Sequence, residues 1–111
     1  MKPDREEGAE PERVGFDGLD KLLEHRVRLA TCVVLSRYSR LTFTRLKVLL
    51  DETDGSLGAH LTKLDGAGYL TIERQFTGRR PTSWYALTAV GRAALKQHVS
   101  GLQQLLDRMK G

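Results

Sequence analysis

Apolar positions change period twice along this chain, and each change marks a new element. From Asp17 to about Arg37, Leu19, Leu22, Leu23, Val27, Ala30, Val33 and Val34 recur at steps of three and four. That spacing predicts an amphipathic helix with a wide buried stripe. Tyr38-Ser39-Arg40 ends it. Leu41-Thr42-Phe43-Thr44-Arg45-Leu46 then reads as a helix start, with Thr42 as N-cap and Leu41 placed to pack on Leu46 as a hydrophobic staple. This second helix is short, ends near Asp51 and offers Phe43, Leu46, Leu49 and Leu50 as apolar contacts.

A third helix, about 53–67, starts at Thr53 as its cap, and Asp54 suits the positive end of the helix dipole. Leu57, Leu61 and Leu64 define its buried side, so Gly55, Ser56, Ala59, Thr62 and Lys63 face away. Gly66 weakens the last turn, and Gly68 is placed for the left-handed stop of a helix C-terminus. Two short helices at close spacing, the second polar on its outer face, make a helix-turn-helix.

From Tyr69 the period becomes two. Leu70, Ile72 and Arg74 alternate with Thr71, Glu73 and Gln75, and Ser83 to Leu87 form a return strand. Gly78 and Pro81 suit the intervening loop, about 76–82, and would interrupt a strand. Thr88 caps a last helix to about Met109. The expected fold is therefore α+β and mostly helical, a winged helix-turn-helix with a two-stranded β-wing and a C-terminal dimerisation helix. It occupies residues 17–111 after a flexible arm over 1–16.

Charge sharpens this picture. Of 18 Lys and Arg against 14 Asp and Glu, residues 1–13 hold three bases and five acids, leaving 15 bases against 9 acids in the body. An acidic arm containing Pro and Gly reads as solvated, and a basic body favours polyanions. No apolar run approaches the roughly 20 residues that span a bilayer, and no apolar stretch follows the first charges as a signal peptide requires. Membrane association is thus not expected. Cys32, the only cysteine, sits among Ala30, Val33 and Val34 and reads as a reduced core thiol in the cytoplasm.

Candidate chemistry points to nucleic acid. Helices entering a major groove need small or polar side chains near their N-terminus, which Asp54, Gly55, Ser56, Ala59 and Lys63 supply. His60 lies about 60° from the centre of the leucine stripe, where it either donates to a phosphate or fixes the helix against its neighbour. Arg79 and Arg80, between Gly78 and Pro81, can straddle phosphates or enter the minor groove. Thr44, Arg45 and Lys47 on the second helix are placed to brace the DNA backbone. Of Trp84 and Tyr85, one is expected in the core.

Asp51, Glu52 and Asp54 cluster at a turn with no opposed carboxylate or histidine, and neither a phosphate-cradling loop nor a nucleophile elbow occurs. No enzyme, cofactor or metal site is expected, since His25, His98 and Cys32 lack ligand spacing. Leu95, Val99, Leu102, Leu106 and Met109 are spaced four, three, four and three, an a/d seam that Leu105 widens. A homodimer interface is expected there.

With those residues in view, the chain resembles the small winged helix-turn-helix transcriptional regulators of the MarR/ArsR-like superfamily, in particular the compact group little larger than the DNA-binding domain. The resemblance covers about Leu19 to Leu106. It rests on Leu41 to Leu46, Thr53 to Leu57 with His60-Leu61 and Leu64, Ala67-Gly68-Tyr69, and Gly78-Arg79-Arg80-Pro81 followed by Tyr85-Ala86-Leu87-Thr88 and Gly91-Arg92. It implies a cytoplasmic, bacterial, homodimeric regulator of double-stranded DNA, its third helices in successive major grooves and its wings on flanking DNA. Gly58, Ala59 and Gly66 depart from the family's pattern and imply sparse base readout; the ligand sets of the metal-sensing branch are missing. The rival expectation is a winged-helix interaction or dimerisation module that does not touch DNA. The identity of any small-molecule effector is not written in the sequence.

Overall fold

The computed structural model describes residues 15–111. The expected arm lies outside the described residues except for Gly15 and Phe16. A 3₁₀ turn, Lys21–Glu24, leads into α1 (Arg26–Leu35), β1 (Leu41–Thr42), α2 (Phe43–Leu50), α3 (Asp54–Gly66), β2 (Leu70–Thr77), β3 (Arg80–Leu87) and α4 (Ala89–Met109). The architecture is the winged helix expected from the periodicity.

The first helix is not continuous. The Asp20 carboxylate accepts from the Leu22 amide at 2.8 Å and caps the 3₁₀ turn. His25 is extended, and its Nδ1 accepts from the Val27 amide at 3.2 Å to start α1. Two local caps thus break the backbone while Leu23 and Val27 still face one core. The buried side of α1 is Val27, Thr31, Cys32 and Leu35, whereas Val33, expected on the stripe, is exposed. In α2 only Leu46 is fully buried; Phe43 and Leu50 pack beside the core, and Leu49 points outward.

Thr42, Thr53 and Thr88 cap α2, α3 and α4, accepting from the amides of Arg45, Ser56 and Gly91. Each satisfies a donor that the first turn leaves unpaired. Asp51 closes α2 in the left-handed region (φ 52°), a conformation that Asp tolerates better than most side chains. Leu57, Leu61 and Leu64 turn inward from α3 and meet Leu23, Leu35, Leu46, Leu70, Tyr85 and Leu95 in one core.

The sheet has three antiparallel strands in the order β1-β3-β2, not two. Leu41 and Thr42 pair with Tyr85 and Trp84. Two residues are too few to display an alternating pattern, and the same residues begin a helix, which hid the strand. Strands β2 and β3 pair from Leu70↔Leu87 to Thr77↔Arg80. Their loop is therefore only Gly78 and Arg79, so most of the expected 76–82 loop is strand. Gly78 has φ 66°, the geometry of a primed hairpin turn with Gly at its first central position. Pro81 does not interrupt pairing: Thr77↔Arg80 closes the turn by hydrogen bonding, so the next pair, Phe76↔Pro81, is non-hydrogen-bonded. Its missing N–H faces the side of β3 that β1 does not reach.

Tyr69 ties these pieces together. Its hydroxyl donates to the Asp20 carboxylate, and the Asp20 amide donates to His98 Nδ1 at 2.9 Å. That hydrogen bond, with burial, holds the Tyr69 hydroxyl protonated, its pKa pushed from 10.0 to about 12. Burial, with the Asp20 carboxylate, raises the Cys32 thiol from 9.0 to about 11.

Both groups release protons more readily unfolded than folded, so the stability they contribute is complete below about pH 9 and is lost as pH rises toward about 12. Urea unfolding followed from about pH 8 to about pH 11 should show a steepening loss of stability. The loss should be shallower in a Tyr69→Phe, Cys32→Ala double variant; identical slopes would mean that neither group is held neutral by the fold.

Candidate nucleic-acid interface

The outer side of α3 follows from its inner one. With three leucines buried, Asp54, Gly55, Ala59, Thr62 and Lys63 are exposed, while Ser56 and His60 are half-buried at the edges. The exposed N-terminal turn offers small side chains and a helix dipole's positive end, suited to close approach by an anion-lined groove.

Two links fix this helix. Lys47 Nζ of α2 meets the Asp54 carboxylate at 2.7 Å. Both side chains are solvent-accessible, so the pair orients more than it stabilises. It also occupies Lys47, expected free to brace a backbone. Ser56 Oγ donates to the Glu52 carboxylate at 2.7 Å, turning that hydroxyl back toward the α2–α3 turn.

His60 faces α1. Its Nδ1 lies 3.0 Å from Arg28 Nη1, and its ring stacks 4.2 Å from that of His25 at 43°. Since guanidinium only donates, Nδ1 is the acceptor. Burial, the His25 ring and the Arg28 charge lower the His60 pKa. The Nδ1 contact with Arg28 fits the expected role of fixing the helix against its neighbour, and the tautomer it requires places the ring's proton on Nε2, the atom that would donate in the other expected role.

On the wing, Arg79 occupies the turn, and Arg80 is the first residue of β3. Both are exposed, as are Thr44 and Arg45 at the start of α2. Trp84 and Tyr85 divide as alternation requires: Tyr85 is buried, and Trp84 faces the opposite side under Arg40. The Arg40 guanidinium carbon stands 4.0 Å from the Trp84 ring centroid, and Nη1 is 3.4 Å from the Glu73 carboxylate. Glu73 and Trp84 are register partners, so Arg40 clasps both wing strands from the α1–β1 loop. Sequence reading missed Arg40 and Arg28, whose partners lie 33 and 32 residues away with no periodic signal.

Helix α4 divides the expected seam. Leu95 joins the protein's own core with His98 and Gly101, because one long helix must also cover the domain from which it emerges. Leu102 is half-buried. Val99, Leu106 and Met109 are exposed at 47%, 51% and 82%. Among the described residues, no group of three or more His, Cys, Asp or Glu could hold a metal ion, and no helix is long and apolar enough to cross a membrane.

Comparison with known proteins agrees with this geometry. A family profile described as a winged helix DNA-binding domain matches residues 27–106. An uncharacterized protein of Methanocaldococcus jannaschii is 29% identical over 85 residues, which are 77% of this chain and 92% of that protein. The transcriptional regulator homologue protein from Pyrococcus horikoshii OT3 superposes with a TM-score of 0.76 at 25% identity, over 80% of this chain and 88% of that one. Sco3205, a MarR family transcriptional regulator from Streptomyces coelicolor solved in complex with DNA, gives a TM-score of 0.63 at 25% identity, covering 84% of this chain and 65% of its own.

Leu61 is 2% exposed in the core, whereas Lys63 is in solvent on the same helix. Leu61→Ala should cost about 2–5 kcal/mol of unfolding free energy. Lys63→Ala should stay within about 0.5 kcal/mol of the parent while weakening duplex binding. Urea denaturation beside a fluorescence titration with DNA measures both; exchanged outcomes would mean that α3 is rotated.

Proposed function

The chain belongs to the winged helix DNA-binding domain family, and on that premise we propose that it is a sequence-specific transcriptional regulator of double-stranded DNA that acts as a homodimer. The carrying observation is the exposed, small-residue N-terminal half of α3 beside a hairpin whose turn region presents Arg79 and Arg80. In this reading α3 enters the major groove, with Gly55, Ala59 and Lys63 toward base edges and Asp54 at the mouth, while Ser56, engaged with Glu52, shapes the α2–α3 turn beside them. Thr44 and Arg45 brace one phosphate strand, and the wing rests on flanking DNA. His60 serves by holding α3 on α1. Because Gly55 and Ala59 carry no hydrogen-bonding side chain, backbone contacts and DNA shape supply much of the discrimination.

Exposure of Arg45, Lys63, Arg79 and Arg80 favours DNA over a pure protein-interaction module. Binding chromosomal DNA places the protein in the cytoplasm in this reading. Val99, Leu102, Leu106 and Met109 form the proposed dimer seam, with Leu95 withdrawn into the domain. A two-fold dimer presents two α3 helices about 34 Å apart, one turn of duplex, and so reads a near-palindrome.

Fragments selected from random duplexes by the purified protein should share a near-palindrome, and binding to them should weaken steeply with salt. In the Arg79→Ala, Arg80→Ala double variant the slope of log affinity against log salt should flatten by about 0.9 for each phosphate no longer neutralised. A folded double variant with the parent's slope would remove the wing from the mechanism.

Leu106→Asp places a charge in the exposed seam at little risk to the core. Sedimentation should show a dimer for the parent and a monomer for the variant, which should lose tight operator binding with its thermal midpoint largely retained. A parent that stays monomeric at tens of micromolar, roughly where weak dimers are populated, would discard the dimer.

A further inference from the structure

The wing ends in an apolar pair that neither the core nor the arginine contacts explain. Phe76 is 75% exposed, and its partner across the hairpin is Pro81, also exposed. In a non-hydrogen-bonded antiparallel pair the side chains stand closest and share one face. That face continues from Ile72 and Tyr85 through Arg74 and Ser83, where Arg74 Nη1 reaches Ser83 Oγ at 3.3 Å, to Phe76 and Pro81. It is the face that covers the core at the base of the sheet, carried past the helices into solvent. From Arg74 to Ser83 there are three arginines and no acid. This face thus sets an exposed ring and an exposed proline beside Arg74, with Arg79 at the adjoining turn, so that apolar carbon and positive charge alternate along it.

We propose that this face of the wing tip docks over the minor groove of duplex DNA, the Phe76 and Pro81 side chains lying against deoxyribose while Arg74 and Arg79 hold the flanking phosphates. The inference rests on the DNA-binding reading above and adds to it a sugar contact and the residues that make it. Deoxyribose walls expose carbon–hydrogen surface between anionic phosphates, the same alternation of apolar and charged groups that this face presents in complement. The minor groove is about 6 Å wide, too narrow for a two-stranded ribbon to sink in, so the hairpin lies across it and only one layer of side chains enters. Phe76 is a strand residue whose ring stands off the sheet face, not at the turn, and this orientation suits packing on sugars better than wedging between bases.

Hydroxyl-radical cleavage of a selected duplex reads the sugars directly, and dimethyl sulfate reads guanine N7 in the major groove. The parent should protect deoxyribose across the flanking minor groove. Phe76→Ala should lose that protection, keep the major-groove protection, and bind about tenfold more weakly, the loss typical of truncating one well-packed aromatic side chain. Its salt slope should equal the parent's, unlike that of Arg79→Ala, and its thermal midpoint should be unchanged because Phe76 lies outside the core. Phe76→Leu should recover most of the affinity. Parental affinity and footprint in Phe76→Ala would overturn the sugar contact and leave the DNA-binding reading standing. The sugar contact is equally overturned if Phe76→Ala alters sedimentation of the free protein but not DNA binding, which would assign the pair to protein contact. A parent that binds no duplex would overturn the reading on which this inference rests.

Discussion

The junction of α3, the wing and α4 is held at one residue, Tyr69. Its amide donates to the Leu64 carbonyl at 3.0 Å and closes α3, and its carbonyl accepts from the Thr88 amide at 2.9 Å where α4 begins. The Thr88 hydroxyl returns to the Gly68 carbonyl at 2.6 Å. Gly91 sits so close to the Tyr69 carbonyl that a Cβ there would fall on the oxygen, so the first turn of α4 can approach only as glycine. Through its hydroxyl Tyr69 reaches Asp20, and through the Asp20 amide the middle of α4 at His98. The angle between α3 and the wing, and that between both and α4, is therefore set by short contacts that converge on a single side chain and its backbone.

That convergence matters because α3 is weak by itself. Gly55, Gly58 and Gly66 each lower intrinsic helix propensity by about 1 kcal/mol relative to alanine. Its order comes from three buried leucines, the Thr53 cap, the Lys47–Asp54 pair and the Arg28–His60 contact. Local preference was given up where small residues leave the outer face low, and tertiary contacts on the inner face restore it. A low outer face lets a backbone come close, yet carries few groups able to distinguish bases, and for that reason the proposed mode of binding shares recognition with the wing and the α2 N-terminus.

What was legible in the sequence is what acts over three or four residues. Thr42, Thr53 and Thr88 were readable as caps because an N-cap satisfies a donor three positions on, and Leu57, Leu61 and Leu64 were readable because one buried face repeats at that interval. Contacts closed by the fold were not. Arg40 on Trp84, Arg28 on His60 and the pairing of Leu41-Thr42 with β3 join distant segments and leave no local trace. Pro81 misled for a subtler reason: it breaks a ladder only where its nitrogen faces a partner strand, and here it faces away. Leu95 looked like the continuation of a seam because periodicity cannot tell a helix's own domain from a second copy.

Helix α4 shows how that ambiguity serves the molecule. Its 21 residues span about 31 Å, and its buried positions end at Gly101. Gly91, Leu95, His98 and Gly101 turn inward, and from Leu102 onward no residue is fully buried. Leu102 continues the Leu95 and His98 line beyond the buried residues, and Val99 and Leu106 flank it to one side, so that a partner helix laid on this end would not displace the core. Because Asp20 holds His98 and Tyr69 together, a partner docked on the free flank would be coupled to the end of α3 through two hydrogen bonds. In the proposed dimer, the spacing of the two recognition helices is then a property of rigid packing within each subunit as much as of the seam between them. Loosening Tyr69 would blur that spacing even with the seam intact.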